Sequence, residues 1–256
     1  DGDVQITTAG DKAHTVIFTG DISTGTATGI ITIDGDAGDA TATLVQVGGD
    51  VTGVVKMDKN AGTTTLELTG TNATINQSVD GLGDAEGRLK ISGAGATMAG
   101  KVGTTGTTSL ALIDVDATAT FADTSEATTY TVDADTTFTG AVLANTAFTV
   151  DTAGTDVTLT AASDLSLATV TTGTLTSTGL LTTSDLINTA GKVFLKVKEN
   201  ENGAGRYAAG DGAELHVGKA FVTTDVIMLS DDANGGATDF HSGSKIYLPS
   251  NLTSGE

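Results

Sequence analysis

A chain of 256 residues, 38% of them apolar, is long enough to bury a sizeable core as one large domain or two small ones. Its formal charge of −20, from 12 Lys and Arg against 32 Asp and Glu, excludes a generic nucleic-acid binder, because a polyanionic partner needs a basic face. Without Cys there is neither a disulfide framework nor a thiolate metal site, and no apolar run is long enough to span a membrane.

Gly is 34, Pro is 1, Trp is absent, and aromatics are 4% of the chain, while β-branched Thr and Val occur throughout. Apolar residues set in period-2 clusters predict a folded, all-β protein. The chain opens at Asp1 without an initiator Met or a signal peptide, as expected of a processed protein or a piece of a longer one. Val4-Gln5-Ile6 leads to Val16-Ile17-Phe18-Thr19-Gly20, then Ile30-Ile31-Thr32-Ile33, then Leu44-Val45-Gln46-Val47-Gly48-Gly49. Such runs are too short for helices and right for strands.

The runs repeat. Thr28-Gly29-Ile30-Ile31-Thr32-Ile33-Asp34 recurs 24 residues later as Thr52-Gly53-Val54-Val55-Lys56-Met57-Asp58. Leu66-Glu67-Leu68-Thr69-Gly70, continuing through Ala73-Thr74-Ile75 to Val79, recurs 23 residues later as Leu89-Lys90-Ile91-Ser92-Gly93, continuing through Ala96-Thr97-Met98 to Val102. The apolar residue two before a glycine marks the series Phe18, Val47, Leu68 and Ile91, with weaker echoes at Val115, Phe138 and Leu159. One such repeat cannot enclose its own apolar residues; stacked on the next, it shares a continuous core.

These spacings predict a parallel β-solenoid of roughly 22–24 residues per coil over residues 1–190, with rungs about 4.8 Å apart. Thr suits the outward positions, where it can hydrogen-bond to the Thr above it, and Glu67 is expected over Lys90 as an exposed ion pair. Tandem antiparallel β-sandwich domains, with a boundary near 122–128 or 189–191, are the alternative.

Residues 191–256 differ in charge, with 9 acids and 6 bases (net −3) against 23 and 6 (net −17) in 1–190. Lys192-Val193-Phe194-Leu195-Lys196-Val197-Lys198 alternates strictly and reads as an edge-capable strand. Leu215 to Val217, Phe221-Val222 and Val226 to Leu229 read as further strands, with Pro249 closing the last one. This portion is expected to be a C-terminal β-rich cap or interaction module, since a solenoid end must be covered or joined.

Asp34, Asp36 and Asp39 surround two glycines in a turn, a spacing that allows oxygen-only coordination of Ca²⁺. Asp231, Asp232 and Asp239, with Asn234, Gly235 and Gly236, form a second candidate. The plainer reading of each set is an ordinary Asp-Gly turn. Asp114/Asp116 and Asp133/Asp135 put paired carboxylates on strand faces. Catalysis has little support: His14, His216 and His241 are far apart in sequence, and no nucleophile elbow, phosphate loop or zinc motif is present. Gly81-Leu82-Gly83 with Gly87 misses the dinucleotide spacing. The triplets at Asn72, Asn76 and Asn251 permit glycosylation where the source has the machinery.

The Thr/Gly/Ala/Asp-rich, Cys-free text, with runs such as Leu175-Thr176-Ser177-Thr178-Gly179-Leu180-Leu181-Thr182-Thr183, resembles bacterial surface-layer proteins and the passenger regions of autotransporter-type adhesins. The resemblance is compositional and covers about residues 1–190. It implies export, self-assembly or adhesion outside the cell, and often calcium. The expected function is therefore a non-enzymatic extracellular structural protein that self-assembles into a surface layer or filament. The alternative is an adhesin or fibre-type module that binds a glycan or receptor.

Overall fold

The structure, a computed structural model, describes residues 2–8, 12–35, 42–58, 63–104, 106–195, 206–209, 213–217 and 245–247. The chain divides into two compact units, Asp1–Tyr130 and Thr131–Glu256. Each is a parallel β-solenoid, and every ladder between described strands is parallel, which overturns the antiparallel sandwich.

The first unit winds its coils over three sheets. One holds Val4–Thr7, Ile30–Asp34, Val54–Asp58 and Val79–Gly81. The second holds His14–Phe18, Ala42–Val47, Thr63–Leu68, Arg88–Ile91 and Leu110–Val115. The third holds the short strands Ile22–Ser23, Val51–Thr52, Thr74–Ile75, Ala96–Met98 and Ala119–Phe121.

The internal repeats are the stacking register itself. Leu66 lies opposite Leu89, Glu67 opposite Lys90 and Leu68 opposite Ile91. The same offset places Thr74 on Thr97, Ile75 on Met98 and Val79 on Val102. The other repeat pairs Ile30 with Val54 through to Asp34 with Asp58. Inward residues such as Val47, Leu68, Ile75, Leu89 and Ile91 are fully buried, each worth about 1.5–3 kcal/mol relative to exposure. No rung could bury them alone.

The glycine in the marker pattern has a steric cause. Cβ atoms at Gly70 and Gly93 would strike the backbone carbonyls of Gly48 and Gly70, each on the coil before. The chain turns a corner there, where successive backbones approach too closely for a side chain.

In the second unit a long strand replaces two short ones. Val142–Val150, Ser163–Val170 and Leu181–Asn188 form one sheet with Arg206–Ala209. Thr136–Phe138, Asp156–Leu159, Thr174–Ser177, Lys192–Leu195, Glu214–Val217 and Lys245–Tyr247 form the other. The long strands bend within themselves, with a register shift between Ala144 and Phe148. A coil with one corner fewer needs fewer residues. Thus 24 residues separate Ile31 from its partner Val55 and 23 separate Leu66 from Leu89, but 21 separate Thr137 from Thr158 and 18 separate Thr158 from Thr176.

Two expectations are corrected here. Phe18, Val47, Leu68, Ile91 and Val115 are successive partners on one sheet, whereas Phe138 and Leu159 pair with each other on the short-strand sheet. The marker series therefore changes face after Val115, and its uniform spacing hides the change. Lys192–Leu195 is not an edge strand: it pairs with Thr174–Ser177 on one side and Glu214–Val217 on the other. Residues 196–198, 221–229 and Pro249 lie outside the described residues.

Candidate functional site

Of the predicted calcium ligands, Asp34 is described, whereas Asp36, Asp39, Asp231, Asp232 and Asp239 lie outside the described residues. Asp34 ends its strand directly opposite Asp58, and its backbone carbonyl accepts from Thr8 N–H at 3.2 Å. Period-24 stacking thus adds Asp58 to Asp34, a neighbour that the Asp-Gly turn alone did not suggest.

The outward ionic groups of the first unit are bonded from coil to coil. Glu67 is 8% exposed and does not pair with Lys90. Its carboxylate accepts from Gln46 Nε2 on the coil before and from Ser92 Oγ on the coil after, both at 2.7 Å. Buried between two neutral donors, it is held by hydrogen bonds; the exposed Glu67–Lys90 ion pair is thereby corrected. Lys90 reaches forward, to Asp114 at 3.2 Å and Asp116 at 2.5 Å. Those two carboxylates, paired on one strand face, share one cation.

Asp80 is the centre of a second tie. It takes Lys56 Nζ at 2.9 Å, Ser78 Oγ at 3.1 Å and Thr104 Oγ1 at 3.1 Å, which span three coils. Other aspartates cap the next rung's backbone: Asp21 accepts from Asp50 N–H, Asp50 from Thr74 N–H, and Asp135 from Asp156 N–H, each at 2.8 Å. Asp133 accepts from Thr152 Oγ1 at 3.2 Å. In the loop of residues 82–87, Glu86 accepts from Gly83 N–H at 2.6 Å, Ser109 Oγ donates to Asp84, and Ala85 has a positive φ of 57°. That glycine-rich stretch is an acid-braced turn rather than a phosphate cradle.

Removing Glu67 strips two neighbouring coils of one shared acceptor. Glu67→Ala is expected to lower stability by about 1.5–3 kcal/mol, the range for hydrogen bonds to a charged group, and urea denaturation measures it. Glu67→Gln, which keeps an acceptor oxygen, should recover part of the loss.

The two described histidines lie on different strands. His14 lies on the first unit's strand His14–Phe18, His216 lies in the second unit, and His241 is outside the described residues. His216 stacks on Phe194 with ring centroids 4.3 Å apart, and its Nε2 is 3.2 Å from Glu214 Oε2. Lys192 Nζ approaches the same carboxylate at 3.6 Å. Since the two rings pack face on face, the pair offers edges rather than a broad sugar platform to the outside.

Tyr130 is fully buried. Burial pushes its phenol well above the ordinary value, the Ser125 hydroxyl partly opposes this, and the Glu126 carboxylate adds to it. Lys90 is also raised, mainly by its bond to Asp116, against the opposing effect of desolvation. Both shifts have one sign. A folded-state pKa above the unfolded one gives stability that is complete below the unfolded value, about 10 for both groups, and is lost as pH rises through the folded value. An alkaline titration should therefore show Tyr130 ionising together with unfolding, and Tyr130→Phe should remove that step from the tyrosinate absorbance.

What these contacts define is a parallel β-solenoid whose polar side chains brace one coil against the next. The chain matches no family model, no curated protein and no solved structure. Among the described residues no helix is long and apolar enough to cross a membrane.

Proposed function

We propose that this chain is a non-enzymatic, extracellular structural protein that self-assembles as a surface-layer or filament subunit. The observation that carries this reading is the use made of its charge: Glu67, Asp80 and Lys90 are each tied to groups on neighbouring coils. Groups fixed in that way make a stiff rung-on-rung body, and regular parallel rungs are building blocks for extended assemblies. The extracellular part of the reading rests on the Thr-, Gly- and Asp-rich composition, which resembles that of surface-layer proteins and adhesin passenger regions.

Calcium enters as a variable of the test, because Asp34 and Asp58, register partners on adjacent coils, carry hard oxygen ligands of the kind Ca²⁺ takes. Electron microscopy of the purified chain, with Ca²⁺ and with a chelator, is expected to show sheets or filaments. A chain that stays monomeric at all concentrations, with and without the ion, removes this reading.

A further inference from the structure

We propose that the threonine face of the second unit's short-strand sheet is a lateral docking surface for a second copy of this chain. The proposal rests on the self-assembling reading above and names the surface that does the assembling. Thr137, Thr158 and Thr176 are register partners on three successive rungs. Two residues on, Thr139, Thr160 and Thr178 continue the same ladder, with Thr160 N–H donating to Phe138 O and Thr178 N–H to Leu159 O, both at 2.8 Å. Between the two columns Phe138, Leu159 and Ser177 point inward and are fully buried, so each rung reads Thr-x-Thr on the outside. The ladder runs without a register shift, unlike that of the long strands.

The hydroxyls of the first column are uncommitted. Outward threonines are expected to bond the Thr above them; among the described residues Thr8 and Thr43 share a hydroxyl bond at 2.7 Å, but both are buried and they are not register partners, and no such bond runs along this column. Thr137, Thr158 and Thr176 hold no side-chain hydrogen bond to the described protein, although Thr178 Oγ1 does reach Leu159 O at 3.3 Å. Their hydroxyls are available at an exposed or half-exposed face.

Three properties select a second copy as the occupant. The chain carries a net charge of −20, so two copies repel one another except where a surface is free of charge. These two columns contain no ionisable residue; Asp135 and Asp156 border them two residues before the first column, and the long-strand sheet carries Asp164 and Asp185 within it. A hydroxyl both donates and accepts, so an array of them is complementary to itself in a two-fold contact. And a rung spacing of about 4.8 Å is matched in period by an identical set of rungs. A receptor protein would have to reproduce that period independently.

The chain has no Cys, which makes the test direct. In the full chain, Thr158→Cys is expected to form disulfide-linked dimers under mild oxidation at least about tenfold faster than Thr169→Cys on the long-strand sheet, equivalent to about 1.4 kcal/mol of preference. The double substitution Thr158→Glu/Thr176→Glu should abolish concentration-dependent lateral growth, read by sedimentation velocity and filament width, with circular dichroism unchanged. Thr158→Val/Thr176→Val, which keeps the β-branched shape, guards against loss of fold. Equal cross-linking at the two cysteine positions overturns the proposal, as does unchanged lateral growth in the glutamate variant. Filaments that grow in length alone overturn it but leave the self-assembling reading standing; a chain monomeric under every condition removes both. Shaping of ice crystals by a monomeric chain, lost in the glutamate variant, would assign the face to ice and overturn the proposal as well.

Discussion

Gly70→Val is expected to cost well over 3 kcal/mol and to leave the first unit unfolded or loosely packed. A Cβ at this position would meet the Gly48 carbonyl carbon and oxygen on the coil before. The obstacle is backbone, so no rotamer change relieves it, and overpacking that must move a backbone exceeds the usual range of about 1–3 kcal/mol. The next corner repeats the geometry, since a Cβ at Gly93 would meet the Gly70 carbonyl. Shifting the coil at Gly70 therefore strains the following coil too. Gly2 and Gly20 have open space around the Cβ position, and Gly20→Ala serves as the matched control with an effect of about 1 kcal/mol or less. Urea denaturation followed by far-UV circular dichroism separates the outcomes; a Gly70→Val protein with the wild-type midpoint would mean that the corner is not held against the coil before it.

The same corner shows why so much of the first unit could be read from its sequence. A glycine forced by close approach, placed two residues after a buried apolar residue, recurs with the coil, so the alignment of Leu66–Gly70 with Leu89–Gly93 is a spatial superposition written in residues. Thr28–Asp34 and Thr52–Asp58 align for the same reason. The pattern loses that meaning where the coil changes shape. After Val115 the pattern of an apolar residue followed by glycine continues at Phe138-Thr139-Gly140, but the long strands of the second unit have absorbed a corner, and Phe138 belongs to a different sheet. Period alone does not carry the identity of the face.

The polar contacts were less legible, because register fixes which residues are neighbours but not which way a long side chain leans. Glu67 and Lys90 are partners in the ladder, yet Glu67 turns to Gln46 and Ser92 while Lys90 turns to Asp114 and Asp116. Two carboxylates ahead of Lys90 attract it more strongly than one carboxylate already satisfied by neutral donors. In the resulting order charge is bonded along the stack while the two threonine columns themselves carry none, and that order follows from the sheet on which each residue lies.

Sheet membership also sets the second large effect. Phe138→Ala is expected to destabilise the second unit by about 3–5 kcal/mol, the range for removing a buried aromatic side chain. Phe138 is fully buried, meets the edge of Phe148 with centroids 6.0 Å apart at 66°, and pairs in register with Leu159 on the next coil. The lost volume cannot be filled by collapse of one coil alone, since the parallel ladder holds each rung at a fixed spacing from its neighbours. Phe138→Leu keeps most of the volume and should cost less than half as much. Because Thr137 and Thr139 flank this side chain on the docking face, the alanine variant should also weaken lateral association, in proportion to its loss of fold. Thr158→Glu/Thr176→Glu should weaken association with the denaturation midpoint nearly unchanged. Measuring midpoint and association together in both variants separates a face that needs only its rigid backing from one whose hydroxyls make the contact.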